Sequence, residues 1–199
     1  ANEVKNFLHT NDFELTPLPA SASSRRYFRV TSQFHESFIA TYHEDVRETI
    51  AFVEYTKAFD RCELPVPLVF HLSNDKKIYF QTDLGDTTLF NLISTSNLSQ
   101  KELLTLLKKA LDDLFKFQTC PRVPYEFAYP IDSFDGKSLR WDLNYFKYLF
   151  LKIDEIIFDE LQLEIDFDRW ISRFLSLPSN FFMYRDFQTR NILVHNGKL

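Results

Sequence analysis

One change of rhythm constrains this chain more than any other feature. As far as Thr82 the apolar residues fall mainly into short β-branched and aromatic runs around a single helix, whereas beyond Gly85 they recur mainly at three- and four-residue spacing. Tyr27-Phe28-Arg29-Val30 and Ser37-Phe38-Ile39-Ala40-Thr41-Tyr42 flank a polar turn and read as one hairpin; Leu68-Val69-Phe70-His71-Leu72 and Lys77-Ile78-Tyr79-Phe80-Gln81 flank Ser73-Asn74-Asp75 and read as a second. Between them, Val46 to about Phe59 carries two adjoining apolar stripes, and Leu64-Pro65-Val66-Pro67 closes that helix because proline cannot continue it. Strands followed by helices predict an α+β fold.

In the second part, Ser99-Gln100-Lys101-Glu102 is a capping box opening a helix to about Phe117, with Leu103, Leu106, Leu107, Ala110, Leu111, Leu114 and Phe115 at helical spacing. Further helices are expected from Leu139 to about Ile157 and from Asp168 to Leu175. The chain therefore divides into a sheet-bearing part over residues 1–82, a connection at 83–86, and a mostly helical part over 87–199. Asp86 is expected to cap a helix beginning at Thr87.

A formal charge of −5 carries no excess of Lys and Arg to neutralise nucleic-acid phosphates. The longest apolar runs are broken by carboxylates, far short of the roughly 20 residues a membrane helix needs. Cys62 and Cys120 lack any C-x-x-C spacing and read as buried thiols of a reducing compartment, which makes the cytoplasm the expected location. The five histidines show no metal-ligand spacing.

The chemistry concentrates in Tyr184-Arg185-Asp186-Phe187-Gln188-Thr189-Arg190-Asn191, a polar stretch between two apolar strand candidates, Phe181-Phe182-Met183 and Ile192-Leu193-Val194. Loops anchored in this way often carry function. Phosphoryl transfer asks for a carboxylate to accept a hydroxyl proton and oxygen ligands for magnesium. Asp186 and Asn191 can supply both, and Arg185 or Arg190 can steady the loop or lie near phosphate.

The D-x-x-x-x-N run Asp186 to Asn191 resembles the catalytic loop of protein-kinase-like phosphotransferases, and its Arg-Asp-Phe-Gln-x-Arg-Asn wording is similar to the aminoglycoside phosphotransferase and choline kinase branch. Arg25-Arg26-Tyr27-Phe28-Arg29-Val30 and Asp83-Leu84-Gly85-Asp86 look most like bacterial kinases of cell-wall amino sugars. The resemblance covers nearly the whole chain. It implies a two-lobed fold, ATP and Mg2+ as cofactors, and a small-molecule substrate, an amino sugar, with neither nucleic acid nor membrane as partner. By position it makes Asp186 the catalytic base, Asn191 a magnesium ligand, and Glu48 the helix glutamate that ordinarily pairs with a lysine.

That lysine is missing. No Lys stands between Lys5 and Lys57, and the matching strand offers only Ala40 and Thr41, so Arg25, Arg26 or Arg29 is left to provide charge for phosphate. Ser21-Ala22-Ser23-Ser24 occupies the phosphate-loop position, where Ser23 and Ser24 either line a phosphate or form a polar turn. Tyr184 replaces a histidine that supports the loop. The resemblance places adenine against Gln81, Thr82, Asp83 and Leu84. Asp132, Asp135 and Asp142 read either as part of a substrate pocket or as a solvated acidic face.

His195-Asn196-Gly197-Lys198 is a tight-turn signal. In the resembled family the strand beyond it leads to a second metal-binding aspartate and further helices, so the chain reads as truncated at its C-terminus. Two other readings stand beside an active kinase: a catalytically silent, kinase-like nucleotide-binding module, and an unrelated α+β protein in which Asp186 and Asn191 only shape a turn.

Overall fold

The computed structural model describes residues 1–19, 24–96, 98–195 and 199. They fall into two compact units, Ala1–Pro130 with Tyr184–Leu199, and Ile131–Met183.

The first unit is built on a five-stranded, wholly antiparallel sheet. Its strands are β1 (Glu14–Pro17), β2 (Arg26–Thr31), β3 (Phe38–Tyr42), β4 (Val69–Leu72) and β5 (Ile78–Thr82), in the spatial order β1-β2-β3-β5-β4. The two hairpins expected from alternation are β2–β3 and β4–β5, and pairing of Phe38 with Thr82 through Tyr42 with Ile78 welds one to the other. β1 ends on Pro17, whose missing amide is tolerated because this strand lies at the sheet edge.

Alternation gives the sheet two distinct faces. Phe28, Val30, Phe38, Ala40, Ile78 and Phe80 face one way and pack with Val4 and Leu8 of helix α1 (Asn2–Leu8). Tyr27, Arg29, Ile39, Thr41, Tyr79 and Gln81 are turned the other way, toward helix α2 (Val46–Arg61), where the Phe52 ring stacks on Tyr79 at 4.9 Å. Asp45 caps α2 by accepting from the Arg47 and Glu48 amides. The helix ends before the prolines: Cys62 is its C-cap and Glu63 turns left-handed at φ 57°.

Beyond the connection come α3 (Leu89–Thr95) and α4 (Gln100–Gln118). The capping box at Ser99 and Glu102 forms with both of its bonds. The cap of α3 is Thr88, which accepts from the Asn91 amide. Asp86 does not fill that role, because its carboxylate is drawn to Arg29 instead.

The second unit holds α5 (Gly136–Phe146), which runs through one wider π-type turn to Leu151, and α6 (Glu160–Leu175). The long helix expected over 139–157 thus stops early, and the last helix begins at Glu160, about two turns before the expected Asp168. Gly136 lets the two helix ends approach, since a Cβ there would stand 3.3 Å from the Leu175 side chain. Lys147, almost fully buried, gives its ammonium to Glu160 and Glu164, and Arg140 binds Glu164 and Asp168. Asp135 is the N-cap of α5, bonding Ser138, which gives it a structural duty rather than a place in a substrate pocket.

Phe181-Phe182-Met183 is not a strand. Phe181 and Met183 are about half exposed, and no partner strand pairs with them among the described residues. Ile192-Leu193-Val194 makes a single bridge, Leu193 to Thr88, instead of a ladder.

Candidate active site

Although its expected flanking strands do not form, the run Tyr184 to Asn191 is firmly tethered. The Leu89 amide donates to Ile192 O at 2.8 Å, Phe90 to Thr189 O at 2.9 Å, and Val194 to Thr87 O at 2.8 Å. Leu89 itself is fully buried. Within the run, the Gln188 amide bonds Asp186 O and the Asn191 amide bonds Gln188 O, folding two successive turns. Arg190 lies over the Phe90 ring at 4.2 Å, a cation–π contact that steadies the loop.

Asp186 and Asn191 are both exposed, and the Asn191 side-chain nitrogen donates to Asp186 O at 3.0 Å. That bond occupies the amide's donor end and leaves Oδ1 as the end able to ligate a cation. Beneath the loop, Tyr184 makes edge-to-face contacts at 5.3 Å with both Phe187 and Phe117 of α4, and Phe117 meets Phe59 of α2 at 5.0 Å. Tyr184 therefore supports the loop by ring packing, and links it back to the helix that carries Glu48.

Arg25, just ahead of β2, reaches Glu48 with N···O at 2.7 Å, and its guanidinium lies 5.2 Å from the centre of the Phe52 ring. Glu48 also lies 3.7 Å from Nε2 of His43. The buried His43 ring donates through Nδ1 to Asp45 O at 3.1 Å and accepts at Nε2 from the Ser24 hydroxyl at 2.8 Å. Ser24, Arg25, His43 and Glu48 thus form one connected group at the start of α2. His43 carried no signal in the sequence; only its burial beside Glu48 brings it into view. Arg26 is exposed and lies on the α1 side of the sheet by strand alternation, away from this group. Ser23, with Ser21 and Ala22, lies outside the described residues, as does the turn at 196–198.

Arg29 is committed elsewhere. Its guanidinium grips Asp83 through Nε at 2.6 Å and Nη2 at 3.0 Å, and Asp86 at 2.9 and 2.8 Å. Asp83 also accepts from the Ser37 hydroxyl and the Gly85 amide. Burial works to raise the Asp83 carboxyl, but these bonds outweigh it and hold the group below the ordinary carboxylate range. The Asp83 side chain is thus structural, clamping the connection to β2, and only its backbone is left for a nucleotide. Gly85 completes the turn at φ 78°. The Leu84 carbonyl is met by His195 Nδ1 at 3.3 Å.

On the α2 side of the sheet, Thr41 Oγ1, Tyr79 OH and Gln81 Oε1 are buried without a hydrogen-bond partner among the described residues. Burial pushes the Tyr79 phenol far up, against the opposing pull of the Arg25 charge. An orphaned buried polar atom costs about 1–3 kcal/mol. Three on one face, beside Arg25 and ending at the connection, suit a polar planar ligand such as a nucleotide base and its sugar. Among the described residues no three His, Cys, Asp or Glu side chains gather to hold a metal, and no helix is long and apolar enough to cross a membrane. Magnesium ordinarily takes only one or two protein oxygens and completes its shell with phosphate and water. Asn191 Oδ1 suits one position of such a partial shell.

Residues 14–199 match the phosphotransferase enzyme family. The chain is 27% identical over 205 residues to the N-acetylmuramate/N-acetylglucosamine kinase of Neisseria meningitidis serogroup B, covering 98% of this chain and 59% of that protein. In fold it is similar to two aminoglycoside phosphotransferases. One is APH(2″)-IIa in its ternary complex with streptomycin and ATP (TM-score 0.58, 13% identity). The other is ADP-bound APH(2″)-Ib (TM-score 0.62, 15% identity). Each superposition covers the whole of this chain and 66% of the neighbour. The chain thus spans somewhat under two thirds of the length of these relatives, and its sheet and helices share the protein-kinase-like fold of the two solved enzymes.

Proposed function

Because the chain belongs to the phosphotransferase enzyme family, we propose that the protein of which it forms part is an ATP-dependent kinase acting on a hydroxyl of a small molecule, an amino sugar. The observation that supports this best is the tethered loop presenting Asp186 and Asn191, in a unit where Arg25 and Glu48 replace the expected lysine–glutamate pair. The amino sugar is suggested by the Neisseria relative, and the nucleotide by the ATP and ADP held in the two structural neighbours.

In this reading residues 1–82 form the nucleotide-binding lobe, 83–86 the connection and 87–199 part of the helical lobe. Asp186 accepts the proton of the attacking hydroxyl and Asn191 Oδ1 serves as a magnesium ligand. Arg25, held by Glu48, provides positive charge for phosphate oxygens, with Ser24, hydrogen-bonded to His43, beside it. The polar atoms of Thr41, Tyr79 and Gln81, with the backbone at Asp83 and Leu84, receive the base and sugar. Bound ATP supplies the phosphoryl group, and magnesium offsets its charge. A protein of this kind works in the cytoplasm, where ATP is held.

The test is turnover of N-acetylmuramate, N-acetylglucosamine and a panel of aminoglycosides by the full-length protein with Mg2+ and ATP, followed by ADP release. Phosphorylation of an amino sugar is expected, with Asp186→Asn lowering kcat about 10²–10⁴-fold. Absence of transfer to every acceptor refutes the reading. The lack of a strand lysine, where only Ala40 and Thr41 stand, together with Tyr184, favours one alternative, a silent nucleotide-binding module, which would bind Mg-ATP tightly yet transfer nothing.

A further inference from the structure

Cys62 and Cys120 are 58 positions apart in the chain, yet their sulfur atoms stand 2.8 Å from each other. Both side chains are only partly buried. We propose that these two cysteines form a reversible disulfide, a redox-sensitive modification site that staples the end of α2 to the end of α4.

The geometry is prepared by the two helices rather than by the thiols. Cys62 is the C-cap of α2 and its amide donates to Phe59 O at 3.0 Å; Cys120 follows the C-cap of α4 and its amide donates to Phe117 O at 3.3 Å. Each cysteine therefore lies three residues past an aromatic ring, and those two rings, Phe59 and Phe117, pack edge to face at 5.0 Å. Ring packing between residues that are each about 5% exposed or less holds the helix ends together whether or not the sulfurs are bonded. Closing to a bond of roughly 2 Å needs a side-chain adjustment of less than an ångström, well within rotamer freedom.

The chemistry is a two-electron exchange. With a low-molecular-weight disulfide such as oxidised glutathione, one cysteine thiolate attacks a glutathione sulfur and expels a first reduced glutathione. The second cysteine then attacks the mixed disulfide and expels another. Two protein thiols lose two hydrogens, and one glutathione disulfide becomes two thiols. The hydrogen bond its S–H gives to Cys120 and burial hold the Cys62 thiol above its ordinary range, which lowers the thiolate population there and makes the closure faster in mildly alkaline buffer. The site also lies on the aromatic chain Phe59, Phe117, Tyr184, Phe187 that leads to the catalytic loop. The staple would reinforce this chain at its helix end.

Purified full-length protein is incubated at pH 8 with mixtures of reduced and oxidised glutathione, quenched in acid, alkylated, and mapped by non-reducing peptide mass spectrometry. A peptide pair joined through Cys62 and Cys120, two hydrogens lighter than its free parts and abolished by dithiothreitol, is expected. Oxidised protein should melt higher than reduced protein, and neither Cys62→Ser nor Cys120→Ser should show that shift. Each variant should instead collect one glutathione on its remaining thiol at this pair. Separate glutathione adducts on both cysteines of the unmodified sequence, cross-links only between molecules, or two thiols that stay alkylatable in the most oxidising mixture would each overturn the proposal. These readouts do not depend on phosphoryl transfer, so they stand or fall apart from the proposed activity.

Discussion

Replacing Arg29 with alanine should loosen the connection between β5 and α3, and the structure says how much each partner contributes. The guanidinium makes two bonds to Asp83, whose side chain is 7% exposed, and two to Asp86, which is 74% exposed. Exposed pairs contribute at most about 1 kcal/mol, whereas removing one member of a buried pair costs about 3–5 kcal/mol because the other charge is stranded. Arg29 is itself 22% exposed, and Asp83 keeps Ser37 and the Gly85 amide, so the loss should lie near the lower end, about 3 kcal/mol. A double-mutant cycle in urea, with Arg29→Ala, Asp83→Ala and Asp86→Ala, reads the two couplings separately. Coupling to Asp83 should exceed that to Asp86 by about 1–2 kcal/mol. Asp83 is held below its unfolded value, so its contribution is fully present above pH of about 4 and fades as pH falls through the folded value. The gap between the parent and Arg29→Ala should narrow in acid over that window. Additive effects at Asp83, or a larger coupling to Asp86, would refute the account.

Other perturbations probe the site itself. Arg25→Ala should lower kcat/KM for ATP about 10²–10³-fold if its charge stabilises the phosphate in transit, and Arg25→Lys should recover part of that; steady-state kinetics with varied ATP decide it, and unchanged kinetics would return the role to another cation. Phe117→Ala removes a ring that is 4% exposed and touches both Phe59 and Tyr184, so chemical denaturation should show a loss of about 3–5 kcal/mol. The Cys62–Cys120 bond closes a 58-residue loop, for which chain entropy sets a stabilisation of at most about 4 kcal/mol, readable as the melting shift between oxidised and reduced protein.

What could be read directly from the sequence is what neighbouring residues decide among themselves. Alternation in Phe38–Tyr42 and Ile78–Thr82 marks strands, Ser99 and Glu102 satisfy each other's amides across one helical turn, and the polar run Tyr184 to Asn191 marks a candidate functional loop within eight residues. Signals shorter than a periodicity window escaped: α1 has only Val4 and Leu8 to bury, and β1 is four residues ending in proline. Two local expectations failed because a partner elsewhere won. Asp86 left the helix cap for Arg29, and Phe181–Met183 found no strand to pair with among the described residues, so the loop took its anchor from Thr87–Phe90 instead. The resemblance implied a lysine that no position between Lys5 and Lys57 supplies, yet which of three arginines answers Glu48 depended on the face each occupies once β2 is paired. The same holds for Cys62 and Cys120, expected as buried thiols without partner spacing but only partly buried and brought together by the packing of α2 and α4. Contacts across 23, 54 or 58 positions are set by how helices and strands pack, and that packing energy is shared among residues too far apart for any local pattern to record.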